Sequence, residues 1–266
     1  MIKFPNMCSR TGRLATVALV VLLSLPVSAA AEDLSAGSLF KLVEARFTGL
    51  NSLSYTVKRT IVSRRQRTED RWMFRYKNPA FLRVDYLLPH ERVIILDEKT
   101  LTEYIPELKK AKKTDLSTMT AEKKEQTLGA VMGRVSVEGL RLGNYEEMQK
   151  RAVKVRAVTW AGMGTDAYLV EGKDPRYLVY IDANKKVLLR TEIYDKKGGL
   201  VIRTEASRFV EAARGFWLPQ EIRTAYGTSD GFVQSTVVLQ DIKVNERMAD
   251  DAFRLAFPKG VEIIPN

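Results

Sequence analysis

The sequence predicts an α+β fold in which a long antiparallel sheet of about eleven strands curls and amphipathic helices cover its concave face. From Leu53 to Pro106 the chain is a run of strand-like alternations meeting at tight turns, with no stretch of helical period. From Val153 to Val244 such segments return, separated by turn residues at short intervals. A sheet of this length is expected to curl, and its concave face then needs the apolar stripes of helices to seal it.

In chain order, the first thirty residues read as a secretory signal peptide. Lys3, Arg10 and Arg13 form a cationic start, Leu14 to Val27 an uncharged apolar core, and Val27-Ser28-Ala29-Ala30-Ala31 a small-residue cleavage region. The apolar run falls short of the ~20 residues that span a bilayer. Cys8 precedes the apolar core, whereas a lipid-modified cysteine would follow it, so the mature chain is expected to be soluble, not lipidated and free of cysteine. Residues 31–266 are read as one domain, since no linker, low-complexity tract or internal repeat divides them.

Ser38 is placed as the cap of a first helix whose stripe is Leu39, Leu42, Val43, Phe47 and Leu50. The first strand then alternates Leu53, Tyr55, Val57 and Ile61 against Ser54, Thr56, Lys58 and Thr60, with Arg59 as the break. After the Arg64–Arg67 turn, Trp72, Phe74 and Tyr76 alternate with Arg71, Met73, Arg75 and Lys77 until Asn78-Pro79 ends the strand. Leu82, Val84, Tyr86 and Leu88 carry the next apolar parity, and Pro89-His90 leads into Arg92-Val93-Ile94-Ile95-Leu96, which is apolar on both parities. A doubly apolar strand in an otherwise one-sided sheet must be covered on both faces.

Lys109, Lys110, Lys112 and Lys113 open a polar stretch, followed by a helical pattern from Thr120 to about Met132, a connection over Leu140–Asn144 and a short helix over Tyr145–Lys150. The second set of strands is placed at Val153–Trp160, Ala167–Glu171, Arg176–Ile181, Val187–Tyr194, Leu200–Val210, Glu221–Tyr226 and Phe232–Val244. Their turns are Gly162-Met163-Gly164, Lys173-Asp174-Pro175, Asp182-Ala183-Asn184, Gly198-Gly199 and Gly227 to Gly231.

Export without cysteine removes disulfides, thiolate nucleophiles and sulfur-bound metals from consideration. Three of the 43 basic residues and none of the 32 acidic ones fall in the leader, leaving a net charge of +8. Outside the cytoplasm such a charge suits anionic headgroups or an acidic protein and gives no reason to expect nucleic acid, and it is equally the charge of an ordinary solvated surface.

The sequence offers little chemistry. Gly227-Thr228-Ser229-Asp230-Gly231 matches a nucleophile-elbow pattern, but a strand follows where a helix is required, and the lone histidine, His90, lies far upstream. A lone histidine without cysteine argues against zinc, no glycine-rich phosphate loop is present, and no carboxylate pair is suited to acid/base work. No catalytic residue, metal or cofactor is expected. The aromatic stripe of Trp72, Phe74, Tyr76 and Tyr86 has two readings, ordinary core or a lipid site, and the second requires an apolar void beside Tyr76 and Tyr86.

The run Glu91-Arg92-Val93-Ile94-Ile95-Leu96-Asp97-Glu98-Lys99-Thr100-Leu101-Thr102-Glu103-Tyr104-Ile105-Pro106 resembles the outer-membrane lipoprotein carrier LolA, with its strand, turn and Tyr-x-Pro strand. Tyr76-Lys77-Asn78-Pro79-Ala80-Phe81-Leu82-Arg83-Val84 is similar to that family's strand, proline, strand passage. Tyr180-Ile181-Asp182, Phe216-Trp217-Leu218-Pro219 and the closing Asp241 to Val261 are similar to the wider lipoprotein-sorting group, which includes the RseB/MucB regulators and mycobacterial lipid carriers. The chain departs from LolA at Asn78, where the family has an arginine linked to cargo release, and at Glu98, where it has glycine.

The resemblance implies an unclosed half-barrel with helices over a hydrophobic cavity for acyl chains. A periplasmic carrier would bind lipoprotein acyl chains or free lipid without covalent chemistry, working between an inner-membrane donor and an outer-membrane acceptor, with peripheral membrane contact. The alternative is a regulatory module of the RseB/MucB kind. The expected cavity lining is Leu39, Leu42, Val43, Phe47, Phe74, Tyr76, Leu82, Val84, Tyr86, Val93 and Ile95, with Phe74, Tyr76, Leu82, Val84 and Tyr86 touching the helix that bears Leu39, Leu42, Val43 and Phe47.

Overall fold

The computed structural model describes Leu34 to Pro265, apart from residues 80, 125, 128–144, 161–165, 229 and 230. The expected leader, residues 125 and 128–132 of the helix placed at Thr120–Met132, the Leu140–Asn144 connection, the Gly162–Gly164 turn and Ser229-Asp230 of the elbow pattern lie outside the described residues.

Ser35, not Ser38, caps the first helix: its side chain accepts the Ser38 N–H at 3.1 Å, and α1 runs Ala36–Ala45. Phe47 and Leu50 follow the helix in a turn. The first meander is β1 (Ser52–Val62), β2 (Arg67–Lys77), β3 (Phe81–Leu88), β4 (Arg92–Leu96), β5 (Thr100–Ile105) and β6 (Lys110–Asp115). A short helix α2 (Glu146–Arg151) leads into β7 (Ala152–Thr159), β8 (Asp166–Gly172), β9 (Tyr177–Asp182), β10 (Val187–Tyr194), β11 (Leu200–Ala213), β12 (Phe216–Thr228) and β13 (Gly231–Val244). The chain closes with β14 (Glu262–Pro265).

All fourteen strands of the described residues belong to one open sheet, in the order β14-β6-β5-β4-β3-β2-β1-β13-β12-β11-β10-β9-β8-β7. Two antiparallel meanders therefore meet where β1, first of one, pairs with β13, last of the other. The Asn51 N–H donates to the Asn245 side chain at 2.7 Å beside this junction. Bulges interrupt the β1–β13, β2–β3, β9–β10 and β11–β12 ladders, and Asp241 takes a left-handed φ of 52° at the first of these. Bulged strands bend and twist more strongly, which curves the sheet.

β6 and β14 were not anticipated from sequence. The lysines of β6 mask its alternation, yet Ala111 is fully buried and Thr114 nearly so, and the strand is flanked by β5 on one side and β14 on the other. β14 pairs with β6 in parallel, a register that no hairpin turn announces.

One face of the sheet, here the inner face, carries Leu53, Tyr55 and Val57 of β1 and their direct partners Tyr76, Phe74 and Trp72 of β2. It continues through Leu82, Val84 and Tyr86 of β3 to Leu96, Ile94 and Arg92 of β4. Across β13 and β12 it carries Leu239, Val237 and Ile222, and it passes through Thr224, Thr204 and Thr191 to Val179 of β9. Two apolar clusters cover it. The larger spans β1–β5 and β11–β13, and the second joins Leu39, Phe40 and Val43 of α1 to Val170, Tyr177, Val179 and Ile181.

α1 thus packs over β8–β10, and the expected contact of Leu39 and Val43 with Phe74, Leu82 and Val84 is replaced by this one, while Phe47 and Leu50 beyond the helix join that cluster. A ten-residue helix is about 15 Å long and covers about three strands. Phe40, absent from the expected stripe, is fully buried and stacks on Tyr145 with centroids 5.4 Å apart, which fixes where the helix sits. Tyr177 crosses the strand beneath it directly over Gly172, where any Cβ would stand 2.0 Å from the ring.

Candidate functional site

The floor of the larger cluster is built by strand parity. Tyr55 stacks on Phe74 at 4.7 Å with planes 8° apart, and Trp72 tilts against Tyr86 at 5.9 Å. Val57, Phe74, Leu82, Val84 and Ile94 are sealed, at most 2% exposed. Burial pushes the Tyr55 hydroxyl far above its ordinary range and raises that of Tyr76. Around this floor Phe47, Tyr76, Tyr86, Leu96 and Met119 are only half-buried, so apolar surface remains open beside them. Phe47 stands edge-on to Phe216 at 6.0 Å and brings the end of the α1 segment onto the floor.

Two ion pairs bound the apolar floor toward the turns after β1 and β3. Arg59, the break in the β1 alternation, lies on the inner face over the Trp72 ring at 5.2 Å and donates to Asp70 at 2.7 Å. Arg92, opposite Tyr86, donates to Glu103 at 2.6 Å. The charged break is therefore an inner-face residue satisfied in place, as burial of a cation requires. Among the described residues, buried donors without an acceptor are Nε and Nη2 of Arg46, Nε1 of Trp72 and Nε of Arg92.

The structure brings Phe47, Phe74, Tyr76, Leu82, Val84 and Tyr86 together in one cluster. Leu39 and Val43 belong to the second cluster, and Leu42 is half-buried on the same helix. Val93 and Ile95 are corrected: they pair with Asp85 and Arg83, and so face the opposite side of the sheet from Val84. Ile94 and Leu96 hold the inner positions. With both parities apolar, the β4 sequence could not choose a face, and the ladder does.

The outer face is covered there by the segment after β13. Arg83 donates to the carbonyls of Ala252 and Arg254 at 3.1 Å each, Phe81 packs on Phe253 at 5.6 Å, and Tyr104 on Phe257 at 5.5 Å. Asp85 accepts from Arg75 at 2.7 Å and from Arg83 at 2.9 Å, which holds Arg83 in position. Doubly apolar β4 is thus sandwiched.

Among the described residues, no group of three or more His, Cys, Asp or Glu could hold a metal. His90 is on the surface, its Nδ1 3.5 Å from the Glu107 carboxylate. No helix of the described residues is long and apolar enough to cross a membrane. The cluster also holds residues absent from the expected lining: Trp72 of the aromatic stripe, Leu53, Tyr55, Val57, Ile94, Leu96, Leu101 and Met119. The β1 parity pointed to Leu53, Tyr55 and Val57, but besides β2 their strand pairs with β13, more than a hundred residues away.

No family model matches the chain, and no curated protein matches it. Solved structures do. A LolA superfamily protein from Nitrosomonas europaea is 15% identical with a TM-score of 0.51, over 83% of this chain and 98% of its own. A domain assigned as an outer membrane lipoprotein-sorting protein from Vibrio parahaemolyticus is 12% identical with a TM-score of 0.51, over 81% of this chain and 94% of its own. A DUF1329 family protein from Desulfovibrio piger is 12% identical with a TM-score of 0.52, over 82% and 96%. The fold is that of LolA-like proteins.

Proposed function

We propose that the protein is a periplasmic, non-enzymatic carrier that holds acyl chains of a lipoprotein or lipid against the inner face of its sheet. The observation that carries this reading is the half-buried apolar border of Phe47, Tyr76, Tyr86, Leu96 and Met119 around a sealed floor. An apolar border left partly exposed on the inner face of a curved sheet suits an elongated apolar ligand. Each buried CH₂ stabilises the complex by ~0.8 kcal/mol, so one acyl chain is ample for capture.

Release then requires a second state. α1 is an unsuitable moving part, because Leu39, Phe40 and Val43 are completely buried on β8–β10. The turn that carries Phe47 is the better one, since it ends at Gly49 with φ 83° and holds a single aromatic on the floor.

The LolA-like fold and the expected leader support export to the periplasm. Purification from the producing cell, followed by solvent extraction and mass spectrometry, tests the function. A stoichiometric acylated species is expected. A stoichiometric protein partner with no acyl species would overturn the carrier in favour of a regulatory module.

A further inference from the structure

The described residues do not account for the setting of Arg46. It follows the last residue of α1 and is 7% exposed, yet Nε and Nη2 have no hydrogen-bond partner and the side chain forms no ion pair with the described residues. The nearest acid in sequence, Glu44, is engaged elsewhere, accepting the Tyr145 backbone N–H at 3.1 Å. The guanidinium carbon stands 4.5 Å over the Phe47 ring. Arg46 therefore sits at the junction of the two apolar clusters, with Phe47 on the larger and Tyr145 on the smaller.

A buried, unpaired guanidinium is expensive, because desolvation is not repaid by a partner. Burial draws its pKa down to about 10, opposed by the neighbouring Tyr145, but leaves it charged at neutral pH. The favourable field of a helix C-terminus and the Phe47 face recover only part of the cost. A planar fork with two unpartnered donor nitrogens is matched to a carboxylate or phosphate.

We propose that Arg46 binds the anionic headgroup of the acyl ligand, so that the carrier takes an anionic amphiphile whose tail runs from Phe47 toward Tyr76 and Tyr86. The inference rests on the acyl-chain reading above and narrows it. Headgroup and tail are then read by adjacent residues of one turn, and movement of that turn releases both together.

The test measures affinity for oleate, oleyl phosphate and methyl oleate, below their aggregation limits, on the protein stripped of lipid. The unmodified protein should bind the two anions at least tenfold more tightly than the ester. Arg46→Gln should lower anion binding to the level of the ester and leave ester binding unchanged, while Arg46→Lys should retain part of the preference. Without ligand, Arg46→Met should melt at a higher temperature than the unmodified protein, and a lower melting temperature would show that the guanidinium is already satisfied and overturn the proposal.

Equal binding of anions and ester by the unmodified protein overturns the role of Arg46 and leaves the carrier standing. Binding of none of the three overturns both. Inorganic phosphate alone should not raise the melting temperature appreciably. Protection by phosphate equal to that by oleyl phosphate would mark a free-anion site and overturn the lipid assignment.

Discussion

Arg83 lies directly opposite Ile95 in the β3–β4 ladder, and that pairing puts Ile95 on the outer face beneath the C-terminal segment. Neighbouring Leu96 pairs with Leu82 and faces inward. Ile95→Ala should cost about 2–5 kcal/mol of stability, as expected for a 5% exposed side chain, and leave acyl binding unchanged. Leu96→Ala, at a half-buried position, should cost less and weaken acyl binding. Denaturant midpoints and a fluorescent fatty-acid titration separate the two, and a reversed pattern would invert the assignment of faces.

Phe40 is fully buried in the second cluster and stacked on Tyr145. Phe40→Ala should cost about 3–5 kcal/mol in equilibrium unfolding, with no selective loss of acyl binding in the folded fraction. Phe47→Ala should do the opposite, since Phe47 is half-buried at the floor. Were Phe40→Ala to release ligand at unchanged stability, α1 would be a mobile lid after all.

Arg83 ties the C-terminal segment to β3 through two backbone carbonyls. Arg83→Met should loosen residues 246–258, seen as faster amide exchange and protease cleavage there, while the inner face keeps its protection. Lysine should not rescue it, because a single ammonium cannot reproduce the fork that reaches both carbonyls and Asp85. Uniform loss of protection across the sheet would contradict this local role.

Asp97 organises the β4–β5 turn, accepting from the N–H groups of Lys99 at 2.9 Å and Thr100 at 2.7 Å and from the Thr100 hydroxyl at 2.8 Å. Desolvation, the largest single influence, raises its pKa, but these hydrogen bonds and Lys113 together bring it below the ordinary value. A carboxyl depressed in the folded state contributes stability that is complete above its unfolded value of about 3.9 and is lost as pH falls through the folded one. Asp97→Asn should therefore flatten the acid limb of the stability curve below about pH 4, and Asp97→Ala should cost about 1–2 kcal/mol at pH 7. An unchanged acid limb would show that the turn does not depend on the carboxylate.

Local period was enough to place the strands from β1 to β4 and from β7 to β13, because each carries a clear alternation between recognisable turns. Three features were not legible for physical reasons. β4 is apolar on both parities, so its face depends on a partner. β6 carries lysines where an isolated strand would need apolar residues, and its pairing on both edges justifies it only in the fold. The position of α1 depends on Phe40 finding Tyr145, a contact across more than a hundred residues. Of the expected lining, Phe74, Tyr76, Leu82, Val84 and Tyr86 share one cluster because strand parity decides it, whereas the burial of Arg46 is not legible because an arginine after a helix ordinarily points to solvent.

Photo-crosslinking tests the central claim most directly. A diazirine-bearing fatty acid, bound to the protein at equimolar ratio and activated, should label peptides containing Phe47, Tyr76, Tyr86 and Leu96, and unlabelled oleate should compete it away. Labelling confined to peptides of the outer face, such as those of the segment 246–258, or labelling that oleate does not compete, would contradict an acyl-chain site on the inner face.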